Sequence, residues 1–323
     1  MKSDAEQYRE FLSGLSKRLS LDRIRAYWTK YAFHFTEIRN AACILASGGI
    51  KCRAALPEGS FIDAACPRVI AQTDPSVKSY VRLYFRPRTP TQYRSEGLRP
   101  RERYWEGSHC PVPVFFLFDL FTLLVRDDCL FSDGNLARLG FDGLCNSADE
   151  LATFDFSKIY HDTWVSKEEL RDTVAHQNAE LVIPDELDLS ALKLIYCRTA
   201  AERETLLYLL PPKIRNIWSR RIAVASTATL FYRKWAFVEN AALNRDKVVL
   251  SFSPDPKYAE PFQLRLVRTI SHPKETITEN FSAKGLLPIK FPTALERYNF
   301  EVFLDDNLAY AGSFDEKFEE QPF

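Results

Sequence analysis

The 323-residue chain lacks the features of several common protein classes. Its formal net charge is zero, so no overall electrostatic field draws it to nucleic acid or to a membrane surface. The longest apolar stretch, residues 112–125, is interrupted by Pro113 and Asp119 and is too short to span a bilayer. The polar start MKSDAE is not a secretion signal. These absences predict a globular protein of the cytoplasm that does not contact a membrane.

Cysteine and histidine are present without a recognisable pattern. The seven cysteines are odd in number and widely spaced, with no Cys-x-x-Cys pair, which predicts reduced thiols and neither disulfides nor a zinc site. The five histidines are scattered and show no metal-ligand spacing. The sequence also has no glycine-rich phosphate-binding loop and no nucleophile elbow. We therefore predict no metal, and neither P-loop chemistry nor serine-hydrolase chemistry.

The length suits two domains, and the pattern of apolar residues changes along the chain. Helical spacing of apolar residues predicts helices over residues 5–19, with Asp4 as N-cap, and over residues 22–31. Strands and helices then alternate up to residue 212, as in a mixed α/β domain. The predicted segments are strands at 33–36, 80–85, 179–183 and 192–197, a helix at 38–47, and a buried apolar stretch at 111–125.

After residue 212 the sequence reads as short strands separated by turn residues, which is typical of a β-sandwich. The predicted strands are 222–236, 247–253, 262–270, 287–291 and 298–304, and residues 300–311 form a hairpin that turns near Asp306 and Asn307. The predicted fold class is therefore α+β, a mixed α/β domain followed by a β-sandwich-like domain. The predicted limits are a helical extension at 1–30, the α/β domain at 31–212 and the accessory β-domain at 213–323.

Four short motifs occur in order within the α/β domain. They are FHFTEIRN at 33–40 with SGGI at 47–50, YVRLYFRPRTP at 80–90, LFSDGN at 130–135, and HQNAELVI at 176–183. Together, in this order and spacing, they resemble the DarT family of DNA ADP-ribosyltransferase toxins. The resemblance implies a fold of the ADP-ribosyltransferase type and an enzyme that transfers ADP-ribose from NAD to a nucleobase.

The resemblance also implies roles for individual residues. Glu180, a single acid among apolar neighbours, matches the family's catalytic glutamate, and residues 165–176 match the loop that helps to choose the substrate. His34, Thr36 and Asn40 match residues that hold NAD. The alternatives are an acid at a strand edge paired with an arginine for Glu180, and a core histidine bonded to a backbone carbonyl for His34.

The resemblance also implies an arginine between the first two motifs, near the transferred ribose and the base. Arg68 is the candidate, and Arg53 is its rival. A solvated surface arginine is the alternative interpretation of Arg68.

Residues 82–105 form the most basic stretch of this neutral chain, with aromatic residues interleaved. Arginines that bind phosphates and aromatic side chains that stack on bases are typical of a groove for single-stranded nucleic acid. The predicted contacts are Arg86, Arg88, Tyr93, Arg99, Arg101 and Arg103. The alternative is that these arginines are solvated or paired with acids.

The sequence thus predicts an NAD-consuming enzyme that modifies a base in single-stranded DNA, as a toxin of a toxin–antitoxin or phage-defence system. Single-stranded RNA is the alternative acceptor, and a catalytically inactive relative that binds nucleic acid or protein is the alternative class. The resemblance further implies a neutralising antitoxin protein as partner. The modified base and the partner of the β-domain stay open.

Overall fold

The computed structural model describes residues 1–136, 143–225 and 230–319. The chain divides into two compact units, each assembled from segments that are separate in sequence. Unit 1 is Met1–Phe35, Ser47–Arg94 and Phe115–Ile195, and unit 2 is Thr36–Ala46, Ser95–Val114 and Tyr196–Phe323. The limits predicted at residues 30 and 212 stay predictions about independently folding domains, because the compact units divide the chain elsewhere.

The helices and strands are numbered in chain order. The helices are α1 (Ala5–Arg18), α2 (Arg23–Trp28), α3 (Ile38–Ser47), α4 (Pro67–Gln72), α5 (Pro90–Ser95), α6 (Leu120–Leu124), α7 (Ala148–Ala152), α8 (Phe156–Ile159), α9 (Lys167–His176), α10 (Ala200–Leu209), α11 (Pro212–Trp218) and α12 (Glu316–Glu319). The strands are β1 (Tyr31–Glu37), β2 (Gly49–Lys51), β3 (Tyr80–Tyr84), β4 (Pro113–Asp119), β5 (Leu130–Ser132), β6 (Glu180–Pro184), β7 (Glu186–Asp188), β8 (Leu192–Cys197), β9 (Ile222–Val224), β10 (Val238–Leu243), β11 (Lys247–Phe252), β12 (Phe262–Thr269), β13 (Pro273–Phe281), β14 (Leu286–Lys290), β15 (Arg297–Leu304) and β16 (Asn307–Asp315).

The main sheet of unit 1 places its strands in the order β5-β6-β3-β1-β4-β8. Strands β5 and β3 both pair antiparallel with β6, which therefore has a neighbour on each side. Residues Glu180–Ile183 of β6 are buried, as a strand inside a sheet covered on both faces requires. The first residue of β6 is thus held by hydrogen-bonded neighbours and does not lie on a sheet edge.

The N-terminal helices belong to unit 1. The Tyr8 hydroxyl on α1 donates to the carbonyl of Asn146 at 2.8 Å, and the Phe11 ring lies 5.4 Å from that of Phe156. Asp4 is the N-cap residue of α1, as predicted, but its side chain makes no capping hydrogen bond. Its carboxylate accepts instead from the backbone N–H of Ala148 at 2.7 Å, at the start of α7. The acid therefore ties the two helices together.

Many of the abundant aromatic side chains build the core of unit 1. The rings of Phe85 and Phe131 both contact that of Phe154, and those of Phe85 and Tyr160 contact that of Phe156. Three of these pairs are edge-to-face and the Phe156–Tyr160 pair is stacked, and such pairs contribute packing energy beyond the area that they bury.

Unit 2 contains two antiparallel sheets, with strand orders β10-β11-β14 and β13-β12-β15-β16. Side chains from both sheets share one hydrophobic core, which includes Leu250 and Val302. Leu98 and Ala201, which precede residue 212, belong to this core as well. The predicted fold class, a mixed α/β part followed by antiparallel sheets, is confirmed, but a boundary at residue 212 would divide the core of unit 2.

Several predicted elements differ from the structure. Residues 165–176, predicted as a loop, contain helix α9. The helix begins after its N-cap Ser166, whose side chain accepts from the backbone N–H of Glu169 at 3.3 Å. The strand predicted at 222–236 is only β9, and residues 226–229 lie outside the described residues. Strand β13 and helices α10 and α11 were not predicted.

Among the described residues, no helix is long and apolar enough to cross a membrane. The same residues contain no group of three or more His, Cys, Asp or Glu side chains placed to hold a metal ion. All seven cysteines are free thiols.

Candidate active site

Glu180 is fully buried at the start of β6. It lies opposite Tyr84 of β3 on one side and opposite Ser132 of β5 on the other. Residues directly opposite in an antiparallel pair share a face of the sheet, and residues two apart on a strand do so too. Tyr84 and Arg82 therefore lie on the same face as Glu180.

Arg82 donates two parallel hydrogen bonds to the Glu180 carboxylate. Its Nε donates to Oε2 at 2.9 Å, and its Nη2 donates to Oε1 at 2.6 Å. The Arg82 side chain is 30 % exposed whereas that of Glu180 is 0 % exposed, so the arginine reaches solvent and the acid does not. A two-point pair of this kind fixes the orientation of both groups.

Arg82 also joins the other two motifs to this acid. Its Nη2 donates to Oδ1 of Asn135 at 3.1 Å, and its backbone carbonyl lies 3.1 Å from Nδ1 of His34. His34, Arg82, Asn135 and Glu180 each come from a different one of the four sequence motifs. The hydrogen bonds of Arg82 thus connect all four motifs, and its side chain is the one that pairs with the Glu180 carboxylate.

Burial shifts the pKa of both His34 and Glu180. It lowers the pKa of the His34 ring, so the ring is neutral at pH 7 and Nδ1–H donates to the Arg82 carbonyl. That tautomer, assigned from the hydrogen bond, leaves Nε2 as an acceptor. Burial raises the pKa of the Glu180 carboxyl above its usual value, while Arg82 and the backbone N–H of Leu136 oppose the rise.

Tyr84 completes the polar face beside Glu180. Burial, with a smaller contribution from the Glu180 charge, raises the pKa of the phenol to about 12, so the hydroxyl stays neutral. Its hydroxyl is hydrogen-bonded to Thr91, whose own hydroxyl donates to Oδ1 of Asn178 at 3.1 Å. The chain of polar groups orients Tyr84 without adding a charge.

Thr36 and Asn40 lie in unit 2, at the end of β1 and on the first turn of α3. Asn40 Nδ2 donates to Thr36 Oγ1 at 3.4 Å. The buried carboxylate of Glu37 accepts from the backbone N–H of Arg39 at 2.7 Å and so satisfies a donor at the start of α3. Sequence reasoning did not identify this capping acid.

The two arginines considered between the first motifs are placed differently. Arg68 is exposed on the short helix α4. Arg53 pairs with Asp63 through both guanidinium nitrogens, one of these bonds being 2.9 Å long. The arginine that hydrogen bonds Glu180 is Arg82, which was counted in the basic stretch and was not given a role at the acid.

In the part of the basic stretch that belongs to unit 1, Arg86 and Arg88 donate hydrogen bonds to residues 159–162, which precede α9. Arg86 is 1 % exposed and donates to Asp162 at 2.8 Å and to the carbonyls of Ile159 and His161. Arg88 donates to the same aspartate at 2.6 Å. Tyr93 is half-buried on α5. The segment so anchored carries Trp164, which is 85 % exposed.

In the unit 2 part of the stretch, one arginine is buried and two are exposed. Arg99 is 4 % exposed, stacks 3.7 Å from the Trp235 ring centroid and donates to the carbonyl of Glu96. Arg101 forms an exposed ion pair with Asp306 at 3.3 Å, and Arg103 lies 5.1 Å from the Tyr258 ring centroid. Arg86 and Arg99 are thus buried, whereas Arg94, Arg101 and Arg103 are exposed to solvent.

Comparison with known proteins gives the class. A family model described as "DarT: ssDNA thymidine ADP-ribosyltransferase, DarT" matches residues 33–232. This match covers more than half of the chain and all four motifs, and it confirms the resemblance drawn from them. The protein is an NAD-dependent ADP-ribosyltransferase. Within that class, the chain belongs to the DarT family.

Solved structures of a Thermus relative are also similar. Thermus sp. 2.9 DarT in complex with ADP-ribosylated ssDNA is 19% identical over 63% of this chain and 96% of its own, with a TM-score of 0.49. The same protein in complex with NAD+ is 18% identical over 63% and 98%, with a TM-score of 0.47. No curated protein matches the chain.

Proposed function

We propose that this protein transfers ADP-ribose from NAD to a thymine base of single-stranded DNA, with Glu180 as the catalytic carboxylate. The observation that carries the proposal is the buried Glu180 carboxylate, held by a two-point pair with Arg82, whose hydrogen bonds connect all four motifs. The match of residues 33–232 to a family of ssDNA thymidine ADP-ribosyltransferases supports the acceptor.

The reaction breaks the bond between the ribose C1′ and nicotinamide and forms a bond from C1′ to the base. Thymine in DNA keeps one ring N–H, so its proton must leave as the new bond forms, and Glu180 is the group that would accept it. A carboxylate also stabilises the positive charge that develops on the ribose. We propose that His34, Thr36 and Asn40 hold NAD and that Arg68 contacts the ribose.

Removal of the His34 ring is expected to weaken NAD binding. The neutral ring offers Nε2 as an acceptor, which suits an amide N–H of nicotinamide. His34→Ala should therefore lower NAD affinity by about tenfold, the loss of one to two hydrogen bonds, and leave oligonucleotide affinity near that of wild type. Calorimetry with NAD and fluorescence anisotropy with an oligomer measure the two. The exposed His272 supplies the control, His272→Ala. An equal loss of both affinities would instead assign His34 to the core.

We propose that Arg88, Tyr93, Arg101, Arg103 and Trp164 contact the DNA strand. Arg86 and Arg99 are left out because they are buried. Trp164 is included because its exposed indole, on a segment that Asp162 ties to two arginines, suits base stacking.

Two kinds of variant separate phosphate contacts from stacking. The double substitution Arg101→Ala and Arg103→Ala should lower the slope of log affinity against log salt by about 0.7 for each phosphate that is no longer neutralised. Trp164→Ala should weaken binding by about 1–3 kcal/mol with the slope unchanged. Arg297→Ala removes an exposed arginine of unit 2 and serves as the control. A double variant with the wild-type slope would place these two arginines outside the interface.

We infer that the activity is toxic in a bacterial cytoplasm and is opposed by an antitoxin. The ring N–H of thymine lies on its base-pairing edge, so an ADP-ribose there blocks copying of the strand. The same edge is buried in duplex DNA, which is why a single strand is the accessible substrate. Expression in cells with and without a protein that removes ADP-ribose tests this role. Equal growth with active and Glu180→Gln forms would reject it.

A panel of acceptors tests the function. Labelled NAD is incubated with the protein and with matched oligomers. The DNA oligomers contain or lack thymine, and the RNA oligomers contain or lack uracil. We expect label on single-stranded DNA that contains thymine and none on the same sequence as a duplex. Label on RNA alone would favour the RNA acceptor, and label on neither, with DNA binding intact, would favour an inactive relative.

A further inference from the structure

Arg82 has no role in the reaction chemistry proposed for Glu180, yet it is hydrogen-bonded to each of the other three motifs. It reaches Glu180 through Nε and Nη2, Asn135 through Nη2, and His34 through its backbone carbonyl. Its neighbours Val81 and Leu83 are buried, so β3 holds the guanidinium on the acid from a rigid strand.

A buried carboxylate is a poor proton acceptor unless something keeps it ionised. Removal from water favours the neutral form of an acid, and a cation within hydrogen-bond distance favours the charged form. Around Glu180 the burial raises the pKa and Arg82 lowers it. In turn, burial alone would lower the pKa of the Arg82 guanidinium, but attraction to Glu180 outweighs it and raises that pKa.

The geometry of the pair leaves the acid able to react. An ionised carboxylate offers about four lone-pair sites, of which the two Arg82 bonds occupy one on each oxygen and the backbone N–H of Leu136 a third. Acceptor capacity thus remains for a ribose hydroxyl or for the proton of the base. Asn135 also accepts from Nη2, which restrains the guanidinium plane and therefore the direction of the carboxylate.

We propose that Arg82 is the positioning residue of this enzyme: it orients Glu180 and keeps it ionised while Glu180 acts as the base. The inference rests on the proposed role of Glu180. Arg82 need not touch substrate, and its effect on the rate passes through the carboxylate.

The test is the pH dependence of kcat in the full-length protein. Loss of the guanidinium charge leaves the burial of Glu180 unopposed, so its pKa rises and the acid limb of the profile moves to higher pH. For Arg82→Gln we expect a shift of about one pH unit or more and a loss of about tenfold or more in kcat at pH 7, with part of the loss recovered at high pH. Arg82→Lys keeps the charge but loses the two-point geometry, so its limb should stay near that of wild type while kcat falls.

One control and one further test variant accompany the Arg82 substitutions. Arg126→Gln removes an arginine that also makes a two-point pair, with Asp128 at 2.8 and 2.7 Å, and should leave the acid limb where it is. Asn135→Ala is a second test variant: it removes the hydrogen bond to Nη2 while Arg82 stays paired with Glu180, and it should lower kcat. It tests the orientation even if Arg82→Gln fails to fold. Thermal melting and NAD binding establish the folded fraction of each variant.

Three outcomes would overturn the proposal. A uniform loss at all pH values that follows the folded fraction would make Arg82 merely structural. Higher activity of Arg82→Gln at pH 7 would make Arg82 an inhibitory contact, and an Asn135→Ala variant with wild-type kcat would remove the support for orientation. A wild-type protein that labels no acceptor would instead reject the proposed function, which distinguishes the two failures.

Discussion

Glu180→Gln is expected to lose NAD-dependent labelling of DNA by about a hundredfold or more, because it removes both the proton acceptor and the charge that stabilises the developing cation. The amide keeps the shape of the side chain and one oxygen that can accept from Arg82. Arg82 is partly exposed and can be solvated when its partner is lost, so the fold and NAD binding should persist. The rate of labelled product formation measures the loss.

Glu186→Gln is the matched control. Glu186 lies six residues further along the chain on β7 and is exposed, so its substitution makes the same chemical change outside the site. It should label at the wild-type rate. If Glu180→Gln matched it, Glu180 would be an acid paired with an arginine for structural reasons, which is the alternative that the sequence left open.

The largest expected effect on stability concerns a buried ionic cluster in unit 2. Arg198, Glu96 and Glu202 are all 0 % exposed. Arg198 Nε donates to Glu202 at 3.0 Å, and its Nη1 lies 3.6 Å from Glu96. The Glu96 carboxylate also accepts from the backbone N–H groups of Tyr232 and Arg233, at 3.0 and 2.9 Å. The cluster therefore connects segments of unit 2 that are far apart in sequence.

Arg198→Leu should lower the free energy of unfolding by about 3–5 kcal/mol, because two buried carboxylates lose their cation. Burial already raises the pKa of Glu202, and without Arg198 it should rise further. The folded variant then binds more protons than the unfolded chain, so its stability should fall as the pH rises through the range between the two pKa values. Denaturant unfolding as a function of pH above about 4.3, the pKa of an unperturbed glutamate, measures both effects.

The control for this variant is Arg297→Leu. It removes an arginine whose side chain is 79 % exposed and which is paired loosely with Asp315 at 3.8 Å. Surface pairs of this kind contribute about 0–1 kcal/mol, so the control should unfold near wild type. An Arg198→Leu variant as stable as the control would show that the carboxylates are accommodated without their cation.

Local sequence signals predicted the bounds of two elements correctly. Helix α3 has the predicted bounds, 38–47, because Gly48 follows it with a positive φ of 84°, a conformation that glycine adopts without strain. Strand β8 also has the predicted bounds. Each depends on residues that are neighbours in the sequence.

Tertiary pairing decided the features that were not predicted. Strand β13 begins at Pro273, is polar and is exposed along most of its length, so its sequence indicates a turn; its pairing with β12 makes it a strand. The Arg82–Glu180 pair joins residues 98 positions apart and exists only through the register of β3 against β6. A signal was nevertheless present, since Tyr80, Arg82 and Tyr84 alternate with two apolar residues and so mark one polar face.

Mass spectrometry of a thymine-containing single-stranded oligomer, after incubation with NAD and the full-length protein, is the most direct test of the central claim. The account predicts a product heavier by one ADP-ribose, located on the thymine base, formed by wild type and by Glu186→Gln but not by Glu180→Gln. An oligomer of unchanged mass after incubation with folded, NAD-binding wild type would contradict it, as would an equal yield of adduct from Glu180→Gln.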